Sequence, residues 1–265
     1  MMYSSQITAC LFDICQQSEV AWIIIRILNE KRMKTIGLIG GMSWESTVSY
    51  YQTINQQVKL RLGGFNSAKL CLYSVNFAEI EALQRAGEWQ QMASILTQAA
   101  SALEAAGADF ILICTNTMHK VADEVSAGIN IPLIHIADAT ADEIISDNKQ
   151  KIALLGTRFT MEQAFYKQRL QDKYDIEVLV PNSDDQTIVH DIIYQELCQG
   201  IIKAESKQQY LAIIDKLIAQ GAQGVILGCT EIGLLIGTED VSVSVYDTAQ
   251  LHAIKAVDMA LADSL

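Results

Sequence analysis

The sequence predicts an α/β protein of two similar lobes, each with a mostly parallel sheet, and a ligand cleft between them. Two observations carry that expectation. Strand-length apolar runs alternate with helix-length segments, the pattern of crossover units. One segment also occurs twice. Gly107-Ala108-Asp109-Phe110-Ile111-Leu112-Ile113-Cys114-Thr115-Asn116-Thr117 aligns without gaps on Gly221-Ala222-Gln223-Gly224-Val225-Ile226-Leu227-Gly228-Cys229-Thr230-Glu231. Each copy reads as a helix end, a buried strand and a small polar loop. Thr115 falls on Cys229, so each half offers a small proton-handling side chain at an equivalent place.

The expected strands are 35–39, 69–75, 110–113, 133–136, 152–155, 177–179, 225–227 and 243–245. The expected helices are 42–62, 89–106, 162–174, 186–199, 203–220 and 248–261. Gly107 and Gly221 stand where two of these helices end and where glycine takes left-handed geometry. The strand openings pair up as well. Ile36–Gly40 followed by Gly41-Met42-Ser43 resembles Ile152–Gly156 followed by Thr157-Arg158. The first lobe is therefore expected over 33–137 with 247–265, the last helix returning to it, and the second over 138–246. In such sheets ligands bind outside the carboxyl ends of the strands, where all four singled-out loops lie.

Residues 1–32 are expected to lie outside the core fold, as an extension from an upstream start codon or as an added amphipathic helix. Their apolar stretch, 21–28, is interrupted by Arg26 and is too short to span a bilayer. It also lacks the basic start and small-residue cleavage site of a secretory signal.

Half of the 265 residues are hydrophobic, enough for a large core. The net charge of −12 excludes nucleic acid and anionic membrane as partners, since both require a basic footprint. A small anionic ligand needs only a local positive field. The six cysteines have no metal-ligand spacing, so no metal is expected, and a reduced cytoplasmic thiol set is the default.

Cys229 directly follows an apolar strand and precedes Thr230-Glu231, a position that favours a thiolate if a helix starts there. Cys114 is expected in the lobe core, because adjacent strand residues face opposite ways and its repeat partner is Gly228. Asn116 and Thr117 are short hydrogen-bonding groups near a helix N-terminus, serving as caps or as carboxylate ligands. His119 either supports a catalytic neighbour or faces solvent, and His135 reads as a core histidine. Gly37-x-x-Gly40-Gly41 lacks the dinucleotide-binding spacing. It reads as a tight turn or as a close approach to a small ligand, with Met42 as an apolar wall. Glu231 is either a first-turn acid favoured by the helix dipole or a site residue. Glu79 and Glu81 belong to a solvated helix face.

Three segments together resemble the aspartate/glutamate racemase family. They are Met33-Lys34-Thr35-Ile36-Gly37-Leu38-Ile39-Gly40-Gly41-Met42-Ser43, Cys114-Thr115-Asn116-Thr117-Met118-His119 and Gly228-Cys229-Thr230-Glu231. The resemblance covers residues 33–265 with the motifs in order. It implies two pseudo-symmetric Rossmann-like lobes, no cofactor, a homodimer, and a pair of proton-transfer groups on opposite faces of the substrate α-carbon. Those groups are Thr115 and Cys229 here. The first loop departs from the usual Cys-Asn-Thr, so the chain is similar to the L-aspartate/glutamate-specific subgroup with a threonine–cysteine pair. The implied substrate-binding set is Met42, Ser43, Gln84, Asn116, Thr117, Thr230 and Glu231. Gln84, Arg85 and Lys203 are candidates for holding an acidic side chain.

The expected reaction is cofactor-independent racemisation of L-glutamate, L-aspartate or a related amino acid. Cys229 removes the α-proton of one enantiomer and Thr115 reprotonates the opposite face, at unequal rates in the two directions. An isomerase or decarboxylase on the same scaffold, or an amino-acid-binding module, is the alternative.

Overall fold

The computed structural model describes residues 32–262. The expected extension at 1–32 lies, apart from Arg32, outside the described residues. The first sheet contains β1 (Ile36–Gly40), β2 (Leu70–Ser74), β3 (Phe110–Ile113) and β4 (Leu133–Ile134), in the order β2-β1-β3-β4. The second contains β5 (Lys151–Gly156), β6 (Glu177–Leu179), β7 (Gly224–Gly228) and β8 (Ser244–Asp247), in the order β6-β5-β7-β8. All pairings are parallel. Strand for strand, the second sheet repeats the first, so the two-lobed α/β fold that the sequence predicts is present.

The central strands β1, β3 and β7 are buried along their whole length. Parallel strands covered on both faces read as unbroken apolar runs, and these do. Alternation sorts their side chains. Ile111 and Ile113 pack with Met92 and Leu96 on one face, while Phe110 and Leu112 pack with Tyr50, Ile54 and Ala253 on the other. The first half of the chain carries α1 (Trp44–Leu62), α2 (Phe77–Ala86), α3 (Trp89–Ala105), α4 (Ala122–Ala127) and α5 (Ile136–Ser146). The second half adds α6 (Arg158–Glu162), α7 (Ala164–Tyr174), α8 (Ser183–Gln195), α9 (Ala204–Ala219) and α10 (Thr248–Leu261).

Several elements differ from the sequence expectation. The strand expected at 133–136 stops at Ile134, because His135 caps α5 by accepting the Ala137 N–H on Nδ1. The expected helix 162–174 starts at Ala164, because Gln163 is extended at ψ 150° and separates it from the short helix Arg158–Glu162. The expected helix 186–199 starts at Ser183, capped by Asn182, and gives way after Gln195 to a short 3₁₀ turn. Helices α2, α4, α5 and α6 have no counterpart among the ranges expected from the sequence.

The two lobes exchange helices. α5 follows β4 of the first sheet, yet its Ile136, Ala137, Ala141 and Ile144 pack on Ile152, Leu154 and Ile226 of the second. α10 follows β8 of the second sheet, yet its Ala249, Ala253, Ala256 and Val257 pack on Ile36, Leu38 and Phe110 of the first. α5 and α10 lie against each other at this seam. The crossed packing ties the carboxyl ends of both sheets to one cleft.

Candidate active site

The nine residues expected from the sequence all line one cleft of about 470 Å³, counting the part open to solvent. Met42 and Ser43 follow β1, and Thr115, Asn116 and Thr117 follow β3. Cys229, Thr230 and Glu231 follow β7, and Gln84 comes from α2. Each strand loop leaves its sheet at the carboxyl end, and the crossed packing of α5 and α10 turns those ends of the two sheets to one cleft.

The Gly40–Gly41 turn is explained by the protein itself. Gly41 has φ +90°, and a Cβ there would meet the Val75 carbonyl oxygen at 2.3 Å. Its N–H donates to Thr47 Oγ1 at 2.8 Å. The tight-turn reading therefore accounts for this glycine. The turn delivers Ser43 as the N-cap of α1.

One side of the cleft is organised by Glu231, which is buried. Cys229 Sγ donates to its Oε2 at 2.9 Å, and Thr230 Oγ1 donates to the same oxygen at 2.8 Å. Ser43 Oγ, from the other lobe, donates to Oε1 at 2.8 Å. The sequence expectation of a thiolate at a helix start is corrected here. The Cys229 loop leads into a three-residue 3₁₀ turn, Ile232–Leu234, rather than a helix. Burial raises the thiol well above its ordinary pKa, and the charges at Glu231 and Cys198 push the same way. The resting group is a thiol hydrogen-bonded to a carboxylate.

The other side is the pseudo-symmetric counterpart without a carboxylate. In the repeat, Thr115 stands for Cys229, and Thr117 stands for Glu231. Thr157 caps α6 as Ser43 caps α1. Its Oγ1 lies 3.3 Å from Thr117 Oγ1, matching the Ser43–Glu231 bond. The arms Cys229–Glu231–Ser43 and Thr115–Thr117–Thr157 thus share one plan with different chemistry. Thr157 was missed as a site residue, although the paired strand openings contained it.

Asn116 is fixed by a relay. Thr248 Oγ1 donates to Leu227 O at 2.8 Å and accepts from Asn116 Nδ2 at 2.9 Å. A hydroxyl whose only proton is committed can only accept from Asn116, which orients the amide. Asn116 Oδ1 is then left buried with no hydrogen-bond partner. A buried acceptor without a donor is costly and needs an explanation, and here it belongs to a cleft-lining residue.

His119 faces the interior. Its Nε2 accepts the Ile136 N–H at 3.1 Å, so Nδ1 carries the proton and donates to the Thr115 carbonyl at 2.8 Å. It thereby holds the Thr115 backbone against the start of α5. His135 stacks on it at 4.5 Å between ring centroids, and His252 stands edge-on at 5.7 Å. His252 is held between Tyr50 Oη and the Ile134 carbonyl, each 2.9 Å away. Cys114 sits in the core of the first lobe with Ala249 and Ala253, away from the cleft.

Burial lowers His119 to about 4 and His252 to about 3, against an ordinary value of 6.5. The unfolded chain then binds more protons than the folded one between those values, so stability falls as pH falls through this window. The thermal midpoint is expected to drop steadily from about pH 7 to about pH 5, above the range where most carboxylates titrate. A flat midpoint across that interval would remove the histidine cluster as a source of acid sensitivity.

The candidate cations for an acidic side chain are engaged elsewhere. Arg85 pairs with Glu81, and Lys203 pairs with Glu196 at 3.0 Å. Neither lines the cleft. The wall opposite the loops is made by Phe77, Ile80 and Gln84 of α2 with Ile193 and Tyr194 of α8. The α8 residues lie in no motif, so no sequence signal pointed to them. Among the described residues, no cluster of His, Cys, Asp and Glu could hold a metal, and no helix is long and apolar enough to cross a membrane.

Residues 39–256, spanning both lobes and all the cleft loops, match the Asp/Glu/hydantoin racemase family. The chain belongs to that family. Its similarity to a solved Asp/Glu racemase candidate from Yersinia pestis is 57% identity, covering 86% of this chain and 100% of that one, with a TM-score of 0.82. An aspartate racemase homologue from Pyrococcus horikoshii OT3 is 39% identical over 86% of this chain and 99% of that one, with a TM-score of 0.77. The broad specificity amino-acid racemase RacX of Bacillus subtilis (strain 168) is 23% identical, covering 86% of this chain and 98% of its own. Membership of this racemase family carries amino acid racemase activity as its coarse functional meaning.

Proposed function

We propose that the protein racemises α-amino acids without a cofactor by moving the α-proton between Cys229 and Thr115, on opposite faces of the substrate. The observation that carries this reading is the pairing of these residues at equivalent loop positions across one cleft. Asn116 Oδ1 supplies the acceptor that a substrate ammonium group needs. Thr117, with the backbone N–H groups at the start of α1, holds the carboxylate, which a helix N-terminus favours, while the Ser43 and Thr230 hydroxyls stay on Glu231. Met42 closes the apolar side.

The α-proton is a weak acid and the resting thiol is a weak base, so the thiol must first lose its own proton. Glu231 Oε2, 2.9 Å away, is within reach to take it, which makes Glu231 the proton acceptor behind Cys229 rather than a substrate ligand. The thiolate then removes the α-proton, and Thr115 delivers a proton to the other face. Thr115 has Thr117 where Cys229 has Glu231, so its return to the starting state relies on hydroxyls. An equilibrium constant of one between enantiomers requires equal kcat/KM in both directions. The asymmetry must therefore appear as kcat and KM differing together.

The test is α-proton exchange by NMR in D₂O, with L-glutamate, L-aspartate and neutral amino acids and no added cofactor. Exchange with inversion supports the racemase reading. Tight binding of a substrate with no exchange would leave an amino-acid-binding module.

We also propose a homodimer. Trp44, Val48 and Tyr51 lie one helical turn apart along one side of α1 and are 66%, 43% and 53% exposed. β2 is an edge strand with Leu72 and Tyr73 exposed as well. A second copy would cover this surface. Trp44→Glu with Tyr51→Glu is expected to convert the dimer to monomer in light scattering, and a monomeric parent would end the idea. The lobe assignment, 33–137 with 247–265 against 138–246, is supported by the return of α10 to the first sheet. Cys71, Cys114, Cys198 and Cys229 are free thiols, as the proposed cytoplasmic setting requires.

A further inference from the structure

The cleft places constraints on the side chain as well as on the α-carbon. With the loops assigned to the amine, the carboxylate and the proton-transfer groups, the substrate side chain is left facing the wall formed by α2 and α8. Phe77, Ile80 and Ile193 make that wall apolar. Its polar groups are the Gln84 amide and the Tyr194 hydroxyl, joined across the lobes at 3.4 Å. That bond uses one Gln84 N–H and one Tyr194 lone pair. The Gln84 carbonyl and the Tyr194 O–H remain available to an uncharged polar group.

The charges point the same way. Among the described residues, no lysine, arginine or histidine lines the cleft, and its one carboxyl group is the buried Glu231. Three cations outside the cleft lining face acids of their own. Arg85 meets Glu81, Arg158 meets Glu162, and Lys203 meets Glu196. A second substrate carboxylate would enter a partly desolvated space that already holds one anion and no cation. Such a charge is disfavoured unless it is paired.

We propose that the preferred substrates are neutral α-amino acids with a short uncharged side chain, selected by Gln84 and Tyr194 and by the absence of a cation. The proposal rests on the racemase reading and narrows its substrate class away from the acidic amino acids that the family resemblance implies.

The test compares pairs of equal shape that differ in charge, glutamine with glutamate and asparagine with aspartate. Purified full-length enzyme is incubated with each L-amino acid in D₂O, and kcat/KM is read from exchange and chiral separation. The amide of each pair is expected to exceed its acid by at least about tenfold. An acid that matches or exceeds its amide in either pair overturns the proposal. Absence of exchange with every amino acid overturns the racemase reading, and this proposal with it, a result distinct from inverted selectivity. Gln84→Arg supplies the missing cation, and it is expected to raise the acid-to-amide ratio by about tenfold. An unchanged ratio in a folded Gln84→Arg protein would show that Gln84 does not face the side chain.

Discussion

Glu231→Gln is expected to lower kcat by about 10²–10³-fold while making Cys229 easier to alkylate. The two effects run in opposite directions for one reason. The carboxylate raises the thiol pKa through its charge and its hydrogen bond, adding to the effect of burial. Removing the charge lets a thiolate form at lower pH, so iodoacetamide reacts faster at a fixed pH near 8. Turnover falls because the group that accepts the thiol proton during the reaction is gone. A residue that merely shaped the cleft would lower both. Unchanged kcat in a folded Glu231→Gln protein would remove Glu231 from the proton path. Ser43→Ala serves as a milder comparison, since it removes one of three hydrogen bonds to Glu231 and leaves the charge. Its kcat is expected to fall by about tenfold, the lower end of what one hydrogen bond to a charged group is worth.

The second large effect separates the two faces. Cys229→Ala is expected to lose α-proton exchange by at least about 10³-fold for both enantiomers, because Cys229 is the cleft thiol hydrogen-bonded to Glu231. Thr115→Ala is expected to lose inversion but retain washout of one enantiomer's α-proton into D₂O. Cys229 and Glu231 would still remove and return that proton on their own face. The measurement is NMR exchange with parallel chiral separation. Full racemisation by either variant would refute the two-face scheme. Equal loss of exchange in both variants would mean that the proton path does not divide as the hydrogen bonds do.

Much of this arrangement was legible in the chain. The gapless repeat carried the parallel strand order, and it separated Thr115 and Cys229 from the core positions Cys114 and Gly228. Helix-length segments and glycine stops located most helices to within a few residues. The errors have physical causes. The strand expected at 133–136 is too long because Leu133, Ile134 and Ile136 read as one apolar run, while the His135 side chain between them caps a helix. The thiolate expectation failed because helix-start chemistry was read from local sequence, whereas the protonation of Cys229 depends on burial and on the position of Glu231.

The sequence by itself determined the two-lobed plan, the four loops that meet at the carboxyl ends of the strands, and the identity of the residues they carry. Those features follow from local periodicity and from the repeat. The tertiary structure alone decided which groups complete the site. Ser43 reaches Glu231 across 188 residues of chain, and Thr157 reaches Thr117 across 40. The wall of α2 and α8 joins residues from the two lobes through the Gln84–Tyr194 bond, 110 residues apart. Contacts of this kind depend on how whole elements pack, and the charge state of a buried thiol depends on what that packing places beside it.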